Sequence, residues 1–359
     1  MDRPSDTPEV LASLDRLRQG RHAGREETRR LVDGVLTGAV DLDAFGHWLV
    51  ALADLGESAD EIAGVAEALR GRMLAVSTTH PIVADTCGTG GDGCGSFNIS
   101  TAAALVVAAA GLPVAKHGNR AVTSRTGSAD VLEQLGVSVG VPPETCSRQL
   151  EQIGICFCLA PVHHPAMARV GPLRRSLGRP TVFNMVGPLC NPAGATVQVI
   201  GVGRASAREP LAEAARMLGA RRTLVVSGHL GERAPGAAQE RVFDEVSLFG
   251  PTDVIDVSAG STTKRRWTPE DFGIAMQPAA RIEELAVAGP AESAAAIRGV
   301  LAGDRGPRRD VVVLNAAAVL WAAGKAGDLP TARAAAEAAL DTGAAASLLS
   351  KMVPATKTG

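Results

Sequence analysis

From residue 8 to about residue 76 the apolar positions recur at helical spacing and never alternate. Asp41 stands ahead of Phe45, Leu49 and Leu52 as a helix cap, and Ser58-Ala59-Asp60-Glu61 is a capping-box pattern ahead of Ile62, Val65 and Leu69. Gly20, Gly38 and Gly56 sit near the breaks. From Pro81 the texture changes, and short apolar runs alternate with helical stretches. The runs at Ile82-Val83-Ala84, 137–139, 156–160, 197–202, 223–226, 253–257 and 286–287 read as strands. Helices are expected at 99–110, 128–135, 144–152, 206–218, 291–302, 310–323 and 330–349. Alternating strands and helices predict an α/β sheet covered by helices, preceded by a small helical N-terminal domain. The boundary falls between residues 78 and 79, giving domains 1–78 and 79–359. No internal repeat is present, and the stretch from Gly231 to Arg241 reads as a surface loop. A helical body beside an α/β body leaves a cleft, which is where ligands favour binding.

Composition narrows the class of ligand. The 359 residues are 46% hydrophobic but only 3% aromatic, with 40 glycines and no tyrosine. The core must be aliphatic, and an aromatic platform for nucleic acid is absent. A net charge of −2 argues against a phosphate-backbone partner, so any bound anion is small and held locally. The six cysteines follow no framework spacing, and the N-terminus has no apolar signal region. The longest apolar run, residues 102–115, is interrupted by Gly111 and Pro113 and is too short for a bilayer. These features lead us to expect a cytoplasmic protein with reduced thiols, no membrane span and no nucleic-acid partner.

The candidate chemistry lies in two glycine-rich turns, Cys87-Gly88-Thr89-Gly90-Gly91-Asp92-Gly93 and Lys116-His117-Gly118-Asn119-Arg120. The first satisfies G-x-G-x-x-G, but a dinucleotide fold needs an acidic residue about 20 positions on, where this chain reads Leu112-Pro113-Val114-Ala115-Lys116. No Gly-Lys-Ser/Thr follows the glycines, which removes a Walker A loop. An anion nest at a helix N-terminus remains, with the amides of the first helical turn and Ser96, Asn98, Ser100 and Thr101 as donors. Asp92 is electrostatically odd there unless it accepts from a sugar hydroxyl or faces a metal-bound water. A third hydroxyl-rich turn runs from Thr123 through Ser124 and Ser128 to Asp130. A ligand with phosphate at both ends suits this arrangement.

These blocks, with Gly127-Ser128-Ala129-Asp130-Val131-Leu132, His163-His164-Pro165-Ala166-Met167, Phe183-Asn184, Gly187-Pro188-Leu189, Asn191-Pro192 and Asp244-Glu245, resemble the anthranilate phosphoribosyltransferase family, and they occur in that family's order. The resemblance implies a nucleoside phosphorylase/phosphoribosyltransferase type of fold, in which helices around residues 165–182 join the N-terminal domain and the larger domain has a central mixed, mainly parallel sheet. It implies transfer of a phosphoribosyl group from phosphoribosyl pyrophosphate to the amine of anthranilate, releasing pyrophosphate, a step of tryptophan biosynthesis. It also implies Mg²⁺, two ions per subunit, and a homodimer joined through the helical domains.

Residue by residue, the resemblance assigns the donor to Gly88, Gly91, Asp92, Ser96, Asn98, Ile99, Ser100, Thr101, Lys116, His117, Gly118, Asn119, Arg120, Ser124 and Ser128. Ser100 would ligate one metal, and Asp244 and Glu245 the other; read alone, an adjacent Asp-Glu is a solvated surface pair. Arg174 would clamp the anthranilate carboxylate through two parallel hydrogen bonds, with Gly88, Asn119 and His164 completing the acceptor site. Pro165 and Met167 would supply apolar walls, and Arg175 would face solvent. No covalent nucleophile or dedicated base stands out, so Lys116, Asn119 and Arg174 would act by positioning. A metal site from Cys156, Cys158, His163 and His164 is conceivable by residue type, but alternate residues of an apolar strand read better as core thiols.

The chain departs from the family pattern in three places. Arg179-Pro180-Thr181 shifts a charge by one and inserts a proline, Phe243 is larger than usual, and the loop between Gly228 and Asp244 is long. The alternatives that keep the donor loops are a non-catalytic binder of the same donor, a phosphorylase, and a transferase with another acceptor.

Overall fold

Four helices open the chain: α1 (Thr7–Arg18), α2 (Arg25–Thr37), α3 (Leu42–Leu55) and α4 (Ala59–Arg70). The structure, a computed structural model, describes residues 7–121, 125–231 and 242–353. Ser124 and all but the first residue of the Gly231–Arg241 stretch therefore lie outside the described residues. Both expected caps form. Asp41 accepts the Ala44 amide at 2.9 Å, and Glu61 accepts the Ser58 amide at 2.8 Å while Ser58 Oγ accepts that of Glu61 at 3.3 Å.

The α/β part runs β1 (Ala84–Gly88), α5 (Ile99–Ala109), β2 (Val114–Gly118), α6 (Ser128–Gln134), α7 (Pro143–Ile153) and β3 (Ile155–Leu159). Short helices α8 (Ala160–His163), α9 (Gly171–Leu177) and α10 (Val182–Val186) then lead back to the N-terminal helices. The chain returns through β4 (Val197–Gly201), α11 (Arg208–Met217), β5 (Arg222–His229), β6 (Val242–Phe243), β7 (Thr252–Ser258) and β8 (Ser261–Trp267). It ends in α12 (Pro290–Leu301), α13 (Pro307–Ala322), α14 (Leu329–Asp341) and α15 (Ala344–Met352).

The sheet has eight strands in the order β3-β2-β1-β4-β5-β7-β8, with β6 beside β5. The first five are parallel; β6, β7 and β8 add antiparallel pairs. One face packs against α5, α6 and the C-terminal helices around Val199, Leu224 and Val226. The other packs Ile200, Val225 and Val257 into the core that α1–α4, α9, α10 and α11 share. A small third core, under α7, takes the back of β3 and β2.

Four expectations need correction. Residues 137–139 form no strand; Val137 and Val139 are buried as loop residues against α5 and α6, so their alternation reflects burial without pairing. Ala286 makes only an isolated bridge to Ser96. The helix read across 330–349 is two, because Gly343 at φ 74° is left-handed and ends the first. Lys116 and His117 lie in β2 and not in the turn that follows. The strand β8 was not foreseen: Ser261 to Arg266 are all exposed, so no apolar pattern announces them, and the basic run protects a sheet edge.

Candidate active site

β1 and β4 are neighbours, yet one leads on to β2 and β3 and the other to β5 on the opposite side. In open parallel sheets the crevice beyond the carboxyl ends at such a reversal binds ligands. Gly88 and Gly201 end these two strands in register. A Cβ on Gly201 would lie 1.6 Å from the Asp244 carbonyl oxygen, and one on Gly88 2.7 Å from Asp244 Oδ2. The two glycines therefore let the segment after β6 cross the strand ends at van der Waals distance. There Gly90 N–H donates to Asp244 Oδ2 at 3.0 Å, and Ser100 N–H donates to Glu245 Oε1 at 3.2 Å.

That second bond changes the expected anion nest. The start of α5 is closed by the Glu245 side chain and by the carbonyls of Phe97 and Asn98, and the Asn98 side chain does not cap it. The open amides are those of Gly91, Asp92 and Gly93, which hold no hydrogen bond among the described residues. Gly91 at φ 86° and Gly93 at φ 71° give this loop a shape that other residues resist. The donors for an anion thus move from helix to loop, because an acid from a remote segment reaches the helix first.

Three carboxylates gather beside the loop. Asp92 Oδ2 is buried and has no hydrogen-bond partner among the described residues. Burial, and then the Asp92 charge, pushes Asp244 well above the ordinary carboxyl range. Burial, and then Asp244, does the same to Glu245. Such a cluster must hold protons or a cation, and an all-oxygen donor set suits Mg²⁺. Lys116 lies beneath, its Nζ donating to Thr86 O at 2.6 Å and 3.4 Å from Ser100 Oγ.

The remaining expected donor residues are placed unevenly. Asn98 Oδ1 accepts the Ser293 hydroxyl at 3.0 Å. The Ile99 side chain is core, and Thr101 Oγ1 is buried without a partner. Ser96 is half-buried, bridged to Ala286. Asn119 is exposed, and its backbone oxygen accepts Ser128 Oγ at 3.3 Å. Gly118 is tight against that serine, since a Cβ would meet its Oγ at 2.1 Å. Arg120 is committed to Asp130 and Glu133, at 3.2 and 2.6 Å, and so is turned to α6.

On the acceptor side, Arg174 is half-buried and lies 5.3 Å from the Phe183 ring centroid. Its guanidinium has no hydrogen bond or ion pair among the described residues, and burial lowers its pKa. Arg175 is exposed. The His117 and His164 rings lie 5.2 Å apart. His117 Nδ1 bonds Gly187 O at 3.0 Å, and His164 Nε2 bonds Cys190 O at 3.1 Å. The nitrogens at those bonds carry the protons, leaving His117 Nε2 and His164 Nδ1 as buried, unpartnered lone pairs. Burial pushes His117 down to about 3 and His164 down to about 4, so both rings are neutral.

Two buried residues escaped the sequence reading. Asp85 accepts the His117 amide at 3.1 Å and Asn191 Nδ2 at 2.8 Å, and burial pushes its carboxyl up to about 6. The only signal was an acid at the end of an apolar run. Cys146 joins Cys156 and Cys158, whereas His164 turns away from them.

The description "glycosyl transferase family, a/b domain" matches residues 80–346, and "glycosyl transferase family, helical bundle domain" matches residues 12–73. An anthranilate phosphoribosyltransferase of Moorella thermoacetica is 44% identical over 344 residues, 96% of this chain and 97% of the relative. The crystal structure of anthranilate phosphoribosyltransferase from Thermus thermophilus matches with a TM-score of 0.84 at 40% identity, covering 95% of this chain and 98% of the other. The Saccharomyces cerevisiae enzyme, solved in complex with PRPP and Mg, matches with a TM-score of 0.83 at 26% identity, covering 96% and 97%. The chain belongs to the anthranilate phosphoribosyltransferase family of glycosyl transferases.

Proposed function

We propose that the chain transfers the phosphoribosyl group of phosphoribosyl pyrophosphate to the amine of anthranilate, in tryptophan biosynthesis. The observation that carries this reading is the trio Asp92, Asp244 and Glu245 set against open glycine-loop amides at the β1/β4 reversal, with Arg174 free of ion pairs among the described residues. The amides of Gly91, Asp92 and Gly93 receive phosphate oxygens, with Gly88, Ser96, Asn98, Ser100, Thr101, Asn119 and Ser128 around them. Ile99 contributes only backbone. Lys116 supports the loop from below through the Thr86 carbonyl.

Arg174 receives the carboxylate of the acceptor, its guanidinium lying over the Phe183 ring. The amine nitrogen attacks the anomeric carbon, the bond from that carbon to pyrophosphate oxygen breaks, and pyrophosphate leaves with the electron pair. The His117 and His164 lone pairs accept hydrogen bonds from the amine, and its surplus proton passes to solvent. Asp92, Asp244, Glu245 and Ser100 would hold Mg²⁺, two ions per subunit, which when bound offsets charge developing on the leaving group.

The same reading makes residues 1–78 with helices around 165–182 one domain and 79–359 the other. It makes the protein a cytoplasmic homodimer joined through the helical domains. No helix among the described residues is long and apolar enough to cross a membrane. Anthranilate-dependent pyrophosphate release, measured with and without Mg²⁺, tests the reaction. Release requiring both supports it; release that ignores anthranilate, or phosphorolysis of a nucleoside in its place, overturns it.

A further inference from the structure

We infer that the chain carries a structural zinc site, made by Cys146, Cys156, Cys158 and His163, separate from the active site. Cys156 and Cys158 are alternate residues of β3 and so share one face of the sheet, and α7 lays Cys146 across that face. The three sulfurs lie within 4.8 Å of one another. Cys156 Sγ and Cys158 Sγ are 3.9 Å apart; His163 Nε2 adjoins the trio through Cys146 Sγ, at 3.8 Å, and would close on a bound ion from that side. A tetrahedral zinc with thiolates at about 2.3 Å has sulfur–sulfur edges of about 3.8 Å. All four side chains are fully buried.

Core thiols alone explain Cys156 and Cys158, but not the histidine. His163 Nδ1 lies 2.9 Å from the Leu74 carbonyl oxygen and donates to it. Its Nε2 is therefore the unprotonated nitrogen, and it points at a sulfur. A ring fixed by a carbonyl on one nitrogen and turned to thiol sulfur with the other is how protein zinc sites orient their histidines. The pairing is mutual, since Leu74 N–H donates to His163 O at 2.8 Å. A cation here would tie α7, the sheet edge and the α4–β1 connection together, below the point where the chain leaves β3 for the N-terminal helices. On binding, three thiols release their protons to solvent and His163 enters neutral, giving a site of net charge −1.

The test uses the full chain, purified under reducing conditions without chelator and refolded with Zn²⁺ or Co²⁺. The expected result is about one zinc per chain after dialysis, and visible bands of tetrahedral thiolate-bound cobalt. Cys146→Val keeps the apolar core and should fold, yet hold at least about tenfold less zinc; Cys190→Ala, elsewhere in the core, should hold as much as the parent. A strong chelator should lower the Tm of the parent and leave that of Cys146→Val unmoved. Zinc content near zero in the refolded parent, full zinc in Cys146→Val, or a disulfide within the trio in the reduced preparation would each overturn the site.

Discussion

Arg174 and the three acids are opposite cases of one rule, that a buried charge needs a partner. Arg174 has an aromatic face and no carboxylate among the described residues, which leaves its guanidinium open to the carboxylate of a ligand. Losing a bidentate hydrogen-bonded ion pair costs about 2 kcal/mol, which is about 30-fold in affinity. Arg174→Ala should therefore raise the anthranilate KM about 30-fold and leave that of the phosphoribosyl donor within a few-fold. Steady-state kinetics with each substrate varied decide it, and equal effects on both would remove the carboxylate role. The motif residues were legible because phosphate loops need particular residue types in a row. Asp85 was not, since its burial and its bonds to His117 and Asn191 arise from segments distant in sequence.

At the scale of elements, the site depends on how closely a loop lies on two strand ends. β1 and β4 end in glycine, and the carbonyl of Asp244 fills the space that a Cβ at Gly201 would need. Gly201→Ala should push the Asp244–Glu245 segment off the sheet at a cost of about 3 kcal/mol, because overpacked backbone relaxes poorly. Denaturant unfolding should show that loss, and the Mg²⁺ concentration for half-maximal activity should rise. Gly140→Ala, with open space around it, serves as the control; similar behaviour in the two variants would refute the contact argument. The helix caps at Asp41 and Ser58 were legible, being local hydrogen bonds within one turn. β8 was invisible because its side chains from Ser261 to Arg266 are exposed and polar, and their ion pairs with Asp253 and Asp256 of β7 follow only from the backbone register.

At the scale of the molecule, His117 links the sheet to the segment that returns to the N-terminal helices, through Gly187 O and the ring of His164. Burial first, then the neighbouring imidazole, holds it at about 3, against an ordinary value near 6.5. A depressed folded-state pKa gives stability that is full above about 6.5 and is lost as pH falls towards 3. Between pH 6.5 and pH 5 the loss is 1.5 units, or about 2 kcal/mol. His164, held at about 4 by burial, adds its own loss in the same window. Chemical unfolding at pH 7 and pH 5 should therefore show a loss about 2 kcal/mol larger in the parent than in His117→Asn; identical pH dependence in both would refute the assignment.

The sequence by itself determined the helical start, the α/β remainder, the glycine-rich turns and the family, because each is written in residue types at short spacing. Only the tertiary structure decided that Glu245 closes α5, that Asp92 joins the two acids, that Arg120 turns to α6 and that Cys146 and His163 meet a strand pair. Those contacts join residues from 10 to 145 or more positions apart. Strand order and the close approach at Gly88 and Gly201 bring them together, and neither leaves a periodic trace along the chain.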